Sequence, residues 1–318
     1  MKVGIDVSKL TFDVTWGNKE SLQHRCFDYN EEGIKALLDL LPNDAHIVME
    51  ATGVYHSRLA LRCYEADLKV SVVNPVAIKR FGQMLFKRAK SDKTDSALIH
   101  QFAESQNPDL WVPSSEAINE LRQAIGWVDD LIRERTVANN REEAVRHNAR
   151  PSQFVLGEIK DFRKYIKVRA KKCDQYLKAV VKKHFPELYN RLQTIPSVGE
   201  KTAIDMIVIT EGFTKFTNDK ALAAYVGVSP TTYSSGTSVH GRGGISRASK
   251  GRSRQYLYLC SWTARRINPG CAALYQRMSE AGKPPKVISI ALAHKLLRQI
   301  FAVGMGSHDY QTESTYLT

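Results

Sequence analysis

Four carboxylates in the first third of the chain stand where strand ends and one helix start can bring them together. Asp6 follows the apolar Val3 and Ile5, and Glu50 closes the run Ile47-Val48-Met49 ahead of Ala51-Thr52-Gly53. Asp92 and Asp95 lie three residues apart at the head of a segment, Thr94 to Glu104, that reads as a helix, so both can face one way. Carboxylates brought together repel one another unless cations lie between them. Mg²⁺ suits such a set because it takes oxygen ligands and bridges phosphate oxygens. Two ions roughly 4 Å apart can hold both the attacking and the leaving oxygen of a phosphodiester exchange. Each acid also has a plainer reading. An Asp at a strand end often forms a turn, Asp92 can serve as an N-cap, and Asp95 can sit as a favourable charge in a first helical turn. Glu50 resists that reading, since a Glu closing an apolar strand needs a partner or water.

A second chemical stretch runs from Tyr233 to Arg247, Tyr-Ser-Ser-Gly-Thr-Ser-Val-His-Gly-Arg-Gly-Gly-Ile-Ser-Arg. It reads as a loop, too rich in glycine and serine for the interior of a helix or strand. Its glycines let backbone N–H groups approach a phosphate, and its arginines neutralise charge. Ser235, ahead of the first glycine, offers a hydroxyl that can act as a nucleophile, with Ser234 and Ser238 close by. A basic loop that only touches nucleic acid is the simpler alternative.

The elements that must position these groups can be read around them. Lys2 to Ile5, Thr11 to Trp16 and Arg25 to Tyr29 look like three short strands. A helix follows with Ile34, Leu37, Leu38 and Leu41 at helical spacing, then a strand at His46 to Met49, a helix from about Tyr55 to Glu65, and a strand at Lys69 to Val73. Three strands followed by αβαβ predict a mixed sheet flanked by helices, the element order of an RNase H-like domain.

Pro108 to Pro113 reads as a linker, with Ser114 or Ser115 capping the next helix. Ile118, Leu121, Ile125, Val128 and Ile132 then recur every three or four residues, and after the break at Pro151-Ser152 a second helix carries Val155, Ile159, Phe162, Ile166, Cys173 and Val180. Two seamed helices joined by a break predict a helical hairpin or coiled-coil arm. The second is densely basic, with Lys167 and Lys171 among its lysines, which suits an arm that self-associates and touches a nucleic-acid backbone; a solvated polar face is the plainer reading. Leu192 to Ala203, with Pro196, Gly199 and Lys201, looks like the turn of a helix-hairpin-helix element, whose amides can bind a phosphate; an ordinary packing corner between helices is the alternative. Apolar helices at Tyr256 to Ile267 and Val287 to Val303 can supply a core for this last part. The boundaries expected are residues 1–112, 113–187 and 188–318.

Composition narrows the class. The 318 residues exceed the usual single-core size. The net charge of +13 points to a polyanionic partner. That charge is uneven: residues 1–112 hold fourteen Lys and Arg against fifteen Asp and Glu, and the remainder holds thirty-two against eighteen. The five cysteines are scattered without metal spacing and read as thiols of a reducing compartment. The first residues run straight into Val3-Gly4-Ile5-Asp6, with no signal-peptide pattern, and Val287 to Val303 contains His294, Lys295 and Arg298, so a core helix and a cytoplasmic protein without a membrane partner are expected.

Several segments carry a family resemblance. Gly4-Ile5-Asp6-Val7-Ser8-Lys9, Met49 to Tyr55, Val73-Asn74-Pro75 and Lys90-Ser91-Asp92-Lys93-Thr94-Asp95 resemble the N-terminal half of the DEDD transposases of bacterial insertion sequences, the insertion-sequence-110/1111 family. Ile195 to Ala203 and Tyr233 to Val239 resemble its C-terminal transposase half. The resemblance implies a RuvC-like domain, a coiled-coil arm and a transposase domain, in a DNA recombinase whose relatives include DNA invertases. It implies that Asp6, Glu50, Asp92 and Asp95 bind Mg²⁺, with Mn²⁺ able to substitute, and that Ser235 attacks DNA to give a phosphoserine-linked intermediate. It further implies a structured bridge RNA that pairs with donor and target DNA. The active assembly it implies is a homo-oligomer, a dimer and on DNA a tetramer, with composite sites. One departure is Ser96, where the family's Asp-x-x-Asp segment continues with alanine.

Residues expected to contact nucleic acid are Lys90 and Lys93 beside the acids, Lys167 and Lys171 on the arm, Lys201 in the hairpin, and Arg242, Arg247, Lys250, Arg252 and Arg254 around the serine loop. Two other functions fit the residues: a RuvC-like junction nuclease that uses water and the acids alone, and a non-catalytic binder whose acids are structural. Inversion and transposition share the same chemistry.

Overall fold

The computed structural model describes residues 1–18, 20–85, 92–235, 239–245 and 251–311, with the backbone alone at 92–93, 230–235 and 239–245. The chain divides into two compact units, Met1–Pro113 and Ser114–Thr318.

In the first unit, short alternating segments form the strands β1 (Lys2–Val7), β2 (Thr11–Trp16), β3 (Gln23–Asp28), β4 (His46–Glu50) and β5 (Lys69–Val73). They make one sheet in the order β3-β2-β1-β4-β5. β1 pairs antiparallel with β2 and parallel with β4, and β4 pairs parallel with β5. This is the mixed sheet expected, and it is consistent with an RNase H-like domain. The period of two sends Val3, Ile5, Phe12, Val14, Ile47 and Met49 to one face, where they form a core with Ile34 and Leu37 of α1 (Glu31–Leu40) and Leu59, Ala60 and Cys63 of α2 (Tyr55–Glu65). The opposite face carries Val48 and Val73, packed with Ile78 of α3 (Pro75–Met84) and with Ile99 and Ala103 of α4 (Asp92–Gln106). Helix α3 is a gain over the sequence reading, which ended the preceding strand at Asn74-Pro75 and read nothing after it. Asn74 caps α3 by accepting from the Val76 amide, and Pro75 occupies its first turn.

The second unit opens with two long helices, α5 (Glu116–Arg146) and α6 (Gln153–His184), which pack along each other. Ser115, rather than Ser114, is the cap of α5 and accepts from the Ile118 amide; the Ser114 hydroxyl instead takes the Arg122 guanidinium at 2.7 Å. Five more helices follow: α7 (Pro186–Gln193), α8 (Glu200–Thr210), α9 (Asp219–Val226), α10 (Gly251–Ile267) and α11 (Pro269–Glu280), and α12 (Pro285–Met305) ends the described helices. Ile118, Leu121, Ile125 and Val128 of α5 and Leu177, Val180 and Val181 of α6 share one core with α8, α9 and α12. The ends of α5 and α6 that carry these residues are therefore built into the unit. α12 is long and apolar enough to cross a membrane, yet Ile288, Leu292, Leu296, Leu297 and Ile300 are buried in this core, as expected of a core helix.

The segment read as a glycine/serine loop is in fact a two-stranded antiparallel sheet, β6 (Pro230–Ser235) and β7 (Val239–Ile245). Thr231, Thr232, Tyr233, Val239 and Ile245 supply β-favouring types. An irregularity between Thr231 and Tyr233 absorbs the extra residue. Cross-strand pairing overrides the local preference of the glycines.

The end of the first unit is tied down by a polar relay. Lys2 Nζ lies 2.6 Å from His46 Nδ1, His46 Nε2 lies 2.7 Å from Ser71 Oγ, and Ser71 Oγ donates to the Asp109 carbonyl at 2.7 Å. Burial, with Lys2, Lys69 and the N-terminal amine adding repulsion, lowers the His46 pKa to about 4. The unfolded chain therefore binds the extra proton between about pH 6.5 and pH 4. The His46 contribution to stability is complete above pH 6.5 and disappears as pH falls through 4. Denaturant midpoints should drop between pH 7 and pH 4.5 more steeply in the wild type than in His46→Gln.

Candidate active site

Register places the acids. Asp6 is the penultimate residue of β1, inside the strand rather than beyond it, and Glu50 is the last residue of β4. β1 and β4 are parallel neighbours with Ile5 beside Met49, so both acids lie at the same end of the sheet. Ile5 and Met49 point into the α1/α2 core, which sends Asp6 and Glu50 to the other face, the one covered by α4.

Helix α4 reaches that face at Gly4. A Cβ on Gly4 would stand 2.3 Å from the His100 amide nitrogen and 2.5 Å from the Ser96 carbonyl oxygen. The helix therefore packs on the bare backbone of β1, and Ser96 Oγ reaches Thr15 Oγ1 on β2 at 2.8 Å. Further along, Lys2 Nζ donates to Asn107 Oδ1 at 2.5 Å, so α4 runs antiparallel to β1 with its N-terminus toward Asp6. Two strand residues from Gly4 to Asp6 span about 6.6 Å, about four residues of helix. Counting back from Ser96 and His100 brings the first turn of α4, with Asp92 and Asp95, level with Asp6.

Three of the acids, Asp6, Glu50 and Asp95, are half-buried. For Asp92 and Lys93 the backbone alone is described, and Lys90 lies outside the described residues. Among the described residues, no three His, Cys, Asp or Glu side chains close on a common point. The donor types, carboxylates only, are nonetheless those a hard divalent cation takes, and their backbone positions lie toward one end of one sheet face.

Sequence reasoning missed a further carboxylate on this face. Asp13 stands directly across from Asp6 in the β1–β2 register and is buried. Directly opposed residues carry their Cβ atoms about 5 Å apart. Asp13 is held by His24, whose Nε2 lies 2.8 Å from Asp13 Oδ1, and by the Cys26 thiol, which donates to Oδ2 at 3.7 Å. The alternation Phe12-Asp13-Val14, with both neighbours in the core, was the available signal. The Ser96 departure is also explained: its side chain is buried and bonded to Thr15, where an alanine would leave the threonine hydroxyl to find another partner.

In the second unit, Ser235 is the last residue of β6 and pairs with Val239; Arg242 lies on β7. Arg247 and Lys250 fall outside the described residues. Arg252 and Arg254, read as part of the loop, belong to the first turns of α10. Arg252 also points inward. Its Nε lies 2.8 Å from Asp205 and its Nη1 2.7 Å from Asp129, joining α10 to α8 and α5. Burial raises the Asp205 pKa and Arg252 draws it part of the way back. A guanidinium so engaged ties the start of α10 to α8 and α5. Lys167 and Lys171 are exposed on α6. Lys201, on α8 after the Gly199 cap, pairs with Asp174 at 2.8 Å. The turn before α8 carries Ser197 at φ 83°.

Two family models match the chain: one described as Transposase, of the DEDD class of IS110, over residues 3–147, and one described as Transposase IS116/IS110/IS902 family over residues 189–276. The chain is 30% identical to the pilin gene-inverting proteins of Moraxella lacunata and Moraxella bovis, over 95% of this chain and 94% of each relative. It is 32% identical to an uncharacterized 43.6 kDa protein of insertion element IS110 from Streptomyces coelicolor, over 35% of this chain and 27% of that one.

Two outcomes follow from this geometry. Gly4→Ala should cost about 1–3 kcal/mol in stability by forcing α4 off β1, and should impair any metal-dependent activity beyond that loss, as read by activity at a temperature where the variant is fully folded. Arg252→Ala should destabilise the second unit by about 3–5 kcal/mol, because it leaves Asp205 buried without its cation; a loss of DNA affinity with unchanged melting would contradict the scaffold role.

Proposed function

Proceeding from a chain that belongs to the IS110 family of transposases, we propose that it is a DNA recombinase that cuts and rejoins strands through Ser235. The observation that carries this reading is the placement of Asp6, Glu50 and the first turn of α4 at one end of one sheet face. Asp6, Glu50, Asp92 and Asp95 would hold Mg²⁺. The ion, when bound, supplies Lewis-acid stabilisation of charge at the phosphate. The Ser235 oxygen attacks phosphorus, the bond from phosphorus to the deoxyribose oxygen breaks, and the hydroxyl proton ends on the leaving oxygen. The phosphoserine conserves the phosphodiester energy, so attack by a new deoxyribose hydroxyl rejoins the strand without an external cofactor. Asp13, held by His24, adds a further carboxylate directly across from Asp6.

The remaining assignments rest on the family and on charge. The excess of cations after residue 112 suits DNA and RNA backbones. Site choice by a bridge RNA, a helical arm over 113–187 and a multimeric assembly belong to the same proposal. The relatives that align end to end are named for pilin gene inversion, which favours site-specific inversion as the biological outcome over transposition.

Ser235→Ala should abolish a protein–DNA adduct on a denaturing gel while leaving DNA binding in place. An adduct that persists in that variant overturns the nucleophile; cleavage without any adduct in the wild type favours the hydrolytic nuclease. EDTA should stop cleavage, and Mg²⁺ or Mn²⁺ should restore it.

A further inference from the structure

Among the described residues of the second unit, two cavities lined by cations differ in kind. The cavity between α5, α6, α8 and α10, about 280 Å³, is lined by Lys and Arg side chains matched to carboxylates: Lys178 with Glu200, Lys201 with Asp174, and Arg252 with Asp205 and Asp129. Three of its four cations are thus paired within the fold, and Lys171 also lines it. The cleft between α10, α11 and α12, about 460 Å³, is lined by Arg265, Lys283 and Lys286, with no carboxylate among the described residues of its wall. That volume lies within the range of small-ligand pockets.

The wall of this second cleft is aromatic as well as basic. Tyr258, Ser261, Trp262 and Arg265 fall at i, i+3, i+4 and i+7 on α10, so they share one helical face. Trp262 is 53% exposed, although a tryptophan without a partner favours burial. It packs edge-on against Tyr258 with ring centroids 6.0 Å apart, which leaves indole surface open to the cleft. Arg265 lies over the Tyr275 ring of α11 at 5.6 Å from its centroid. Buried Ile288 and Leu292 of α12 form an apolar floor. Lys283, in the turn after Gly282, and Lys286 flank the start of α12, whose cap residue Pro284 offers no side-chain hydrogen bond. The positive end of that helix adds to the two ammonium groups.

We propose that this cleft binds an unpaired nucleotide of a nucleic-acid strand, its base stacked on Trp262 and its phosphate held by Lys283 and Lys286. An open aromatic face supplies stacking for any base, and cations unopposed by carboxylates supply the phosphate contact. A base inside a duplex has both faces covered by its stacked neighbours, so the interior of a duplex does not satisfy the site. The shared chemistry is a single strand, deoxyribose or ribose. None of these residues belongs to the acid set or the serine hairpin, and the proposal does not depend on the cleavage chemistry.

The test is anisotropy titration of the full chain in EDTA, where cleavage is silent. The probes are single strands of about ten nucleotides: oligo-dT, oligo-rU, and an abasic strand of equal charge. Trp262→Ala should weaken the better of the two base-bearing strands about tenfold and leave the abasic strand unchanged, while Trp262→Phe keeps most of the affinity. Lys283→Ala with Lys286→Ala should weaken all three strands and reduce the salt dependence. Trp262 is exposed, so its truncation leaves the fold intact, as circular dichroism would verify. The tighter of oligo-dT and oligo-rU identifies the natural strand. An unchanged affinity of Trp262→Ala for both base-bearing strands, or an equal loss on the abasic strand, overturns the proposal. Absence of a protein–DNA adduct in the wild type, with Trp262-dependent binding intact, would count against the recombinase mechanism alone.

Discussion

The contact between Gly4 and the backbone of α4 is the constraint on which the acid site depends. A β-strand normally keeps a covering helix at the distance set by its side chains. At Gly4 there is no side chain, and the Ser96 carbonyl and His100 amide lie where a Cβ would be. That approach sets the height of α4 over the sheet, and the Lys2–Asn107 contact sets its direction. Together they bring a helical turn bearing two acids level with two strand-borne acids. Segments distant by more than eighty positions in the chain thereby come to the same end of the sheet. The glycine two residues before the first acid therefore bears on the placement of all four acids.

Charge in the second unit is less simple than its excess of lysine and arginine suggests. Asp129, Asp174, Glu200 and Asp205 pair with several of the cations, and Arg252 is the clearest case, bridging two carboxylates at the start of the helix that follows the serine hairpin. Arg265, Lys283 and Lys286 line a wall without carboxylates, among aromatic side chains. Net charge identifies the class of partner; the pairing pattern identifies where the partner can dock.

Much of the first unit was legible. Strand alternation and helical spacing placed five strands and three of the four helices, because one-sided burial writes its period directly into the sequence. Boundaries shifted where a polar residue continued a strand, as at Asp6. Asp13 escaped because a carboxylate between Phe12 and Val14 looks like an ordinary outward-facing strand residue until its cross-strand neighbour is known. The serine stretch misled for the opposite reason. Its glycines and serines carry little local preference, and the pairing of Ser235 with Val239 is a property of two strands together.

The sequence by itself determined the types of chemistry available: oxygen donors at strand ends, a hydroxyl among glycines, a cationic second half, and segments specific enough to place the chain in its family. The tertiary structure alone decided which groups share a face, which cations are already neutralised, and which aromatic surface stays open. Periodicity is local, and a residue's neighbours along one element are fixed by geometry within that element. Cross-strand register, helix height over a sheet and ion pairing between helices depend on contacts between distant residues, and no single segment encodes them.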